Sequence, residues 1–486
     1  MKFFRFHGGV HPAGRKELTS DKPIEVLPLP ELLYVPLQQH VGAPAVVHVK
    51  AGEYVLKGQS LAHAQGNVSA AVHAPSSGTI IAIDNHVAPH PSGLPVLTIT
   101  LQTDGKEEWV QLPKAEDPFE LSDDEIADRV ARAGIVGMGG AAFPAAVKLR
   151  VSKKSAVKTL IVNGAECEPY LTSDDRLMQE RADWIVDGVR IMLRALNANN
   201  AVIAIENNKT AAIHSMRAAV ETFAELSVAV VPTRYPMGSA KQMIRTLTGL
   251  EVPAGGHSSD VGVVVHNVGT AYAVHRALRY GEPLISRVVT VSGGAISEPK
   301  NLEVPIGTPV ASLFEYCGGF KTEPARLLMG GPMMGQPLPD TGIPVVKGLS
   351  GVLALGSDEA ADQGTNPCIR CGTCVSVCPM GLLPLEMAAR ARADDFKGAE
   401  KYGLVDCIEC GSCAYACPSH IPLVQYFNYA RGRLELHHRA EQKRIETRKL
   451  IDARNARLER INREKAAAAA RSKSRAAASP QNRCEA

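Results

Sequence analysis

The sequence predicts a multidomain α/β chain: a small β domain first, then a largely parallel α/β domain, a second group of short strands, and a helical cysteine-rich module near the end. Three observations carry that expectation. Residues 24–101 are short apolar runs broken by Gly and Pro, the pattern of short strands joined by turns. Residues 159–231 alternate strand-like and helix-like stretches, which argues for a parallel sheet. Two cysteine runs of identical spacing then flank a helix-forming spacer that begins at Leu383.

At 486 residues the chain has room for about three or four domains. Its 45% hydrophobic content supports real cores, and a formal charge of +3 lacks the clustered basic face of a nucleic-acid binder. The opening Met1-Lys-Phe-Phe-Arg-Phe-His-Gly-Gly is too short and broken for a signal peptide. No apolar run is long enough to span a bilayer, so the chain is expected to be soluble or peripheral to a membrane.

In the first domain, Gly52-Glu-Tyr-Val-Leu-Lys-Gly-Gln followed by His73-Ala-Pro-Ser-Ser-Gly-Thr-Ile resembles the barrel-sandwich fold of lipoyl and biotinyl carriers. A carrier needs an exposed lysine on the hairpin between those phrases, and residues 64–72 contain none. The domain is therefore expected to be structural or a docking module. His63 and His73 are expected to be packing residues. Residues 102–125, with Asp104-Gly, Pro113 and Asp117-Pro, mark a linker.

Gly134, Gly137, Gly139 and Gly140 then precede Phe143, Pro144 and Lys148. Glycines let backbone N–H groups face a phosphate, and a helix starting near Pro144 would turn its positive end to an anion. The spacing does not fit the dinucleotide G-x-G-x-x-G pattern, and the cluster lies before the clearest strand, Thr159 to Asn163. That strand ends in Glu166, Cys167, Glu168 and Pro169, and the carboxyl ends of buried strands are where open α/β sheets bind ligands. A helix from Ala182 to Leu196, a strand from Ala201 to Ile205, a helix to about Phe223 and a strand from Val228 follow. Lys241 and Arg245 share one face of a further helix, which suits either an anion or plain solvent. From Arg287 to Gly335 short strands return; Met329, Met333 and Met334 are expected as core or interface filler, and Cys317 as a buried small hydrophobe.

The cysteine runs read Cys368-Ile-Arg-Cys371-Gly-Thr-Cys374-Val-Ser-Val-Cys378-Pro and Cys407-Ile-Glu-Cys410-Gly-Ser-Cys413-Ala-Tyr-Ala-Cys417-Pro. Two copies of C-x2-C-x2-C-x3-C-P match the ligands of paired [4Fe–4S] clusters, the fourth cysteine of each run serving the other cluster. Cys368, Cys371, Cys374 and Cys417 are thus assigned to one cluster, and Cys378, Cys407, Cys410 and Cys413 to the other. Zinc has no use for the fourth-cysteine-plus-proline repeat, and disulfides fit small secreted chains. The helical spacer favours an all-helical ferredoxin module. Clusters and the unpaired Cys167, Cys317 and Cys484 point to a reducing interior. Residues 431–486, rich in Arg, Lys, Glu and Ala, are expected to form a long exposed helix fraying into disorder, either solvated or set against an anionic lipid or acidic partner.

Three phrases, G-x-G-G-A-x-F-P-x-x-x-K at 137–148, N-x-x-E-x-E-P at 163–169 and Asn267-Val-Gly-Thr270, are together similar to the FMN- and NADH-binding subunit of respiratory complex I. The order of parts resembles the RnfC family, the C subunits of the Rnf (Rsx) ion-translocating electron-transport complexes. The resemblance implies a barrel-sandwich domain over 1–110, an FMN- and NADH-binding domain over 120–285, a β-grasp (SLBB) domain over 286–350, a two-cluster ferredoxin domain over 358–430, and a tail over 431–486. By it, Gly137, Gly139, Gly140 and Lys148 hold the FMN phosphate and ribityl chain, Asn163 contacts the flavin, and Asn267 and Thr270 close its pocket. Phe143, Glu166 and Glu168 face the nicotinamide nucleotide, the two acids as the catalytic pair. Two phrases depart from complex I: Ala165 replaces an acid, and Asn207-Asn208-Lys209-Thr210 replaces G-E-E-T.

The combination is an input module, since NADH yields a hydride, clusters take single electrons, and a flavin converts between them. The expected protein is a peripheral subunit on the cytoplasmic face of a bacterial inner membrane, exchanging electrons with NADH, membrane subunits and ferredoxin, with no nucleic-acid role. A flavin and iron–sulfur cobalamin reductase, or an electron relay with a degenerate flavin pocket, are the alternatives.

Overall fold

The computed structural model describes residues 3–477 except 88–89, 91–92, 114–115, 154–155 and 361–363, so Cys484 lies outside the described residues. Two compact units form. One runs from the first described residues to Leu385 and includes Asp406–Val424; the other comprises Glu386–Val405 and the chain from Gln425.

In the first unit the front domain is a sandwich of two antiparallel sheets. The larger has strands Leu32–Pro36, Pro95–Thr103, Gly78–Val87 and Tyr54–Val55 in that spatial order, the smaller Val46–Val47, Ser60–His63 and Val72–His73. Alternation does the sorting: Leu33 and Val35 point inward and pack with Leu61, Ile80, Ile99 and Leu101. His73 is largely enclosed, and burial pushes its imidazole down to about 3. His63 corrects the packing expectation, because it is exposed and stacks its ring 5.8 Å from that of His48. Ile24–Val26 leaves this domain, pairing in parallel with Lys300–Pro305 in a distant sheet.

The α/β domain is a four-stranded parallel sheet. Its strands, in chain order Thr159–Gly164, Asn200–Glu206, Leu226–Val231 and Val263–Asn267, lie third, second, first, fourth across the sheet. The helices are α1 (Asp123–Arg132), α2 (Ala145–Leu149), α3 (Ser173–Glu180), α4 (Ala182–Leu196), α5 (Thr210–Val220), α6 (Ala240–Thr248) and α7 (Val268–Tyr280). α1 starts in a capping box, the Ser122 hydroxyl accepting from Glu125 N–H while the Glu125 carboxylate accepts from Ser122 N–H. Leu160, Val162 and Val264 face α4 and α7, whereas Ile161, Val263 and Val265 face Met243, Ile244 and Leu247 of α6. The helix expected after Pro144 is only five residues long, too short to offer an anion a useful dipole.

The next domain is a six-stranded mixed sheet, ordered Ile24–Val26, Lys300–Pro305, Ser286–Ser292, Gly351–Leu355, Arg326–Met329 and Gln336–Pro337. Its core holds Val289, Val291, Leu302, Val304, Phe314 and Cys317, whose thiol burial pushes up to about 12. Met329 joins that core and Met333 is half-buried, but Met334 is exposed.

The second unit is helical. Phe396–Lys401 packs on the first turns of the long helix Leu423–Ala477, with the Phe396 ring edge-on to Tyr429 at 5.7 Å and Arg431 donating to the Leu404 carbonyl. From Glu435 on that helix is almost wholly exposed.

Candidate functional site

The chain builds the sheet of the α/β domain outward from Thr159–Gly164 and then returns to its other side with Val263–Asn267. The strand order therefore reverses between these two, and the crevice beyond their carboxyl ends is where such sheets take ligands. Asn163 and Asn267 are register partners there. Asn163 Nδ2 donates to the Gly238 carbonyl (2.8 Å) and its Oδ1 accepts from Ala165 N–H (3.0 Å). Asn267 caps α7, Oδ1 accepting from Gly269 N–H (2.8 Å), and its Nδ2 donates to Asp174 (2.6 Å). Asp174 is half-buried, and desolvation with the nearby Glu166 pushes its carboxyl up to about 7.

The glycine loop closes beside this pair. Gly137 N–H donates to Phe143 O (2.7 Å), Met138 N–H to Thr270 Oγ1 (3.0 Å), and Gly139 lies against Asn267. Gly140, at φ +95°, borders open space where a side chain would stand. Lys148 on α2 is half-buried, and its hydrogen bond among the described residues goes to the Val265 carbonyl (3.1 Å). Desolvation lowers its pKa, and among the described residues no ion pair with an acid offsets it. Beside it the ring of His266 is enclosed with neither nitrogen partnered, its pKa pushed down to about 3 by burial and Lys148. A half-buried cation without a carboxylate partner among the described residues, next to a neutral imidazole with a free N–H, fits an anion such as a flavin phosphate.

The loop after the first strand runs from this crevice to the cysteines. Glu166, in the left-handed region at φ 46°, turns its carboxylate onto the start of α3, accepting from Ser173 Oγ (3.1 Å), Asp174 N–H (2.8 Å) and Asp175 N–H (3.1 Å). Glu168 accepts from Met333 N–H (3.0 Å) and Met334 N–H (2.9 Å), and burial pushes its carboxyl up to about 7. Both acids thus engage protein donors. Cys167 Sγ accepts from Gly238 N–H (3.2 Å), and Tyr235 OH donates to the Cys410 carbonyl (2.7 Å). Cys167, Met333, Tyr235 and Cys410 pack in one apolar cluster. Lys209, where complex I has an acid, is buried against Glu206 at 2.8 Å. Lys241 and Arg245 face Asp406 (3.9 Å) and Glu251 (3.4 Å), so protein carboxylates stand where the sequence allowed either an anion or solvent.

The two cysteine runs share one conformation. Arg370 and Glu409 are left-handed at φ 54° and 55°, Gly372 and Gly411 at 77° and 75°, and each glycine starts a single helical turn, Thr373–Ser376 or Ser412–Tyr415. The matched turns bring thiols of different runs together: Cys374 lies within electrostatic reach of Cys371 and Cys417, and Cys413 of Cys407, Cys410 and Cys378. Among the described residues no three His, Cys, Asp or Glu side chains converge closely enough to hold a single metal ion. Thiols spread in two groups of this make-up fit larger iron–sulfur cubes.

Comparison with known proteins covers the same parts. Residues 4–106 match the RnfC barrel sandwich hybrid domain, 130–276 the Nuo51 FMN-binding domain, 288–337 the SLBB domain and 367–421 the 4Fe-4S dicluster domain. The C subunit of an ion-translocating oxidoreductase complex from Rhodobacter capsulatus is 55% identical over 439 residues, 89% of this chain and 84% of the relative. The C subunit of a proton-translocating ferredoxin:NAD(+) oxidoreductase complex from Clostridium ljungdahlii is 46% identical over 429 residues, 88% and 93% of the two chains. The C subunit of the ion-translocating oxidoreductase complex of Haemophilus influenzae is 45% identical over 460 residues, 94% and 69%.

Proposed function

We propose, for a chain that belongs to the RnfC family, the C subunits of the ion-translocating oxidoreductase complexes, that it is the NAD(H)-linked electron-input subunit of a membrane-bound ferredoxin:NAD oxidoreductase. The observation that carries this reading is a contiguous route from the flavin crevice to a cluster ligand: Asn163 bonds to Gly238 and Gly238 to Cys167, Cys167 packs in one cluster with Tyr235, and the Tyr235 hydroxyl bonds to the Cys410 carbonyl. When bound, FMN converts a hydride's two electrons into the single electrons that two [4Fe–4S] clusters carry.

The chain's own residues prepare for that. Lys148, with His266 beside it, neutralises the phosphate, and Gly137, Gly139 and Gly140 let the backbone approach the ribityl chain without a Cβ in the way. Asn163 and Asn267 orient the flavin from the two central strands, and Thr270 holds the glycine loop through Met138. Phe143 and the loop bearing Glu166 and Glu168 face the nicotinamide nucleotide; the two acids act by fixing the loop's shape, through α3 and through Met333 and Met334. Cys368, Cys371, Cys374 and Cys417 hold one cluster, and Cys378, Cys407, Cys410 and Cys413 the other. Among the described residues no helix is long and apolar enough to cross a membrane. In this reading ion movement belongs to partner subunits, with this subunit on their cytoplasmic face.

The test is anaerobic. With clusters reconstituted and FMN supplied, NADH is expected to bleach both flavin and cluster absorbance. Lys148→Met is expected to weaken FMN binding at least about tenfold in a fluorescence titration, since a charge-assisted hydrogen bond is worth roughly 1.5–3 kcal/mol. Clusters that respond to dithionite but not to NADH in the presence of FMN would overturn the reading.

A further inference from the structure

We infer that Lys16, from the segment ahead of the strands of the barrel-sandwich domain, is the positioning residue of the nucleotide loop, its ammonium holding residues 166–171 in shape. The inference rests on the reading that this loop faces the nucleotide.

Lys16 lies in the single turn Lys16–Leu18, 150 residues before Glu166. Its Nζ donates to three carbonyls of the loop: Glu166 at 2.9 Å, Glu168 at 2.9 Å and Leu171 at 2.5 Å. An ammonium has three hydrogens, so these partners saturate it. Lys16 is half-buried, its ammonium end is desolvated, and a charge so placed is tolerated only where its hydrogen bonds are complete.

The loop needs such a centre. Glu166 and Tyr170 both stand in the left-handed region, at φ 46° and 66°, which side chains disfavour. Without Lys16 the Glu168 and Leu171 carbonyls would lose this donor, and the Glu166 carbonyl would keep only Lys209 Nζ at 3.5 Å. The same N-terminal segment secures the flank: Tyr170 N–H donates to the Gly14 carbonyl (2.7 Å), and the Thr19 and Thr172 hydroxyls bond at 2.7 Å. Tyr170 and Leu171, with Leu18 of the same turn, also pack in an apolar cluster with Leu328, Leu353 and Leu355, so the far end of the loop is held by burial and the polar contacts act on its backbone. What they set is the course of the backbone between Asn163 and Cys167, the two residues joined through Gly238.

The experiment uses the full chain with clusters and FMN, reducing a soluble one-electron acceptor with NADH. Lys16→Met is expected to raise the KM for NADH at least about tenfold with a smaller change in kcat, while FMN affinity and cluster absorbance stay as in the wild type. Lys16→Ala is expected to regain its KM in part when n-propylamine is added, which a general scaffold role would not permit. If Lys16→Met does not fold, Lys16→Gln, which keeps two N–H donors, carries the measurement with a smaller rise. An unchanged KM, or loss of flavin and clusters in the Gln variant too, overturns the role of Lys16. A wild-type chain that binds FMN yet does not oxidise NADH overturns instead the nucleotide reading beneath it.

Discussion

Single residues divide into those that announce themselves and those that do not. The eight cysteines are legible because cluster ligation imposes a short, fixed spacing within one stretch of chain. Asn163 and Asn267 are legible only through resemblance, and Lys16 or His266 not at all, since a lone lysine or histidine carries no pattern until folding brings its partners to it. The cysteine assignment makes a residue-level prediction that a simpler arrangement does not share. If each run held its own cluster, Cys378→Ala would damage the same centre as Cys368→Ala. The grouping of Cys378 with Cys410 and Cys413 implies otherwise. Cys378→Ala and Cys407→Ala are expected to abolish one electron paramagnetic resonance signal of the dithionite-reduced chain, and Cys368→Ala and Cys417→Ala the other, each leaving about half the iron. Identical spectra for Cys378→Ala and Cys368→Ala would restore the one-run, one-cluster arrangement.

At the scale of elements, the central strand Thr159–Gly164 is readable because a strand buried on both faces is a continuous apolar run. Ile24–Val26 escapes a local reading for the opposite reason: it pairs across the chain with Asn301–Glu303, and nothing nearby records a partner so distant. Helix contacts are equally silent. Gly188, inside α4, looks from sequence like a weak point in a helix, where Ala would be the better former by about 1 kcal/mol. In the structure it is the place where α4 meets α7, since a Cβ there would stand 1.9 Å from the Ala271 carbonyl oxygen. Overpacking of that kind costs about 1–3 kcal/mol, so the contact outweighs the propensity. Gly188→Ala is expected to lower the melting temperature by several degrees and to weaken FMN binding, because α7 begins at Asn267. Gly432→Ala, in the long C-terminal helix with open space around it, is the control and should be neutral or slightly stabilising. Equal behaviour of the two variants would show that α4 and α7 have room to yield.

Within the first unit, the domains are tied together by polar contacts that no apolar pattern could reveal, and Lys347 is the clearest. It lies in the chain between the sheet strands Gln336–Pro337 and Gly351–Leu355, and its enclosed Nζ donates to the Ala71 carbonyl of the barrel-sandwich domain and the Gly134 carbonyl of the α/β domain, each at 2.7 Å. Its backbone N–H donates to Gln39 at 3.2 Å, and Arg287 donates to its carbonyl at 2.5 Å. Burial pushes its pKa from 10.5 down to about 7, which makes the junction titratable. The native state then releases this proton above about pH 7, while the unfolded chain keeps it to about 10.5, so the unfolded state binds more protons in between and stability rises with pH. Below pH 7 both states are charged and the full cost of burying the ammonium is felt. The acids Glu168 and Asp174, raised to about 7, act mainly below this window. Lys16 and Lys148, also lowered by burial, add to the rise, and the thiols of Cys167 and Cys317, raised by burial, oppose it as pH nears 9, so the share of Lys347 is read as the difference between the wild type and its Met variant. Denaturant unfolding of the full chain is therefore expected to show stability increasing by on the order of 2 kcal/mol between pH 7 and 9. Lys347→Met should flatten that rise while lowering stability at pH 9, where the wild type keeps a neutral amine bonded to both carbonyls and the variant leaves them unpaired. A variant that retains the wild-type slope would place the titrating group elsewhere and remove Lys347 from the junction.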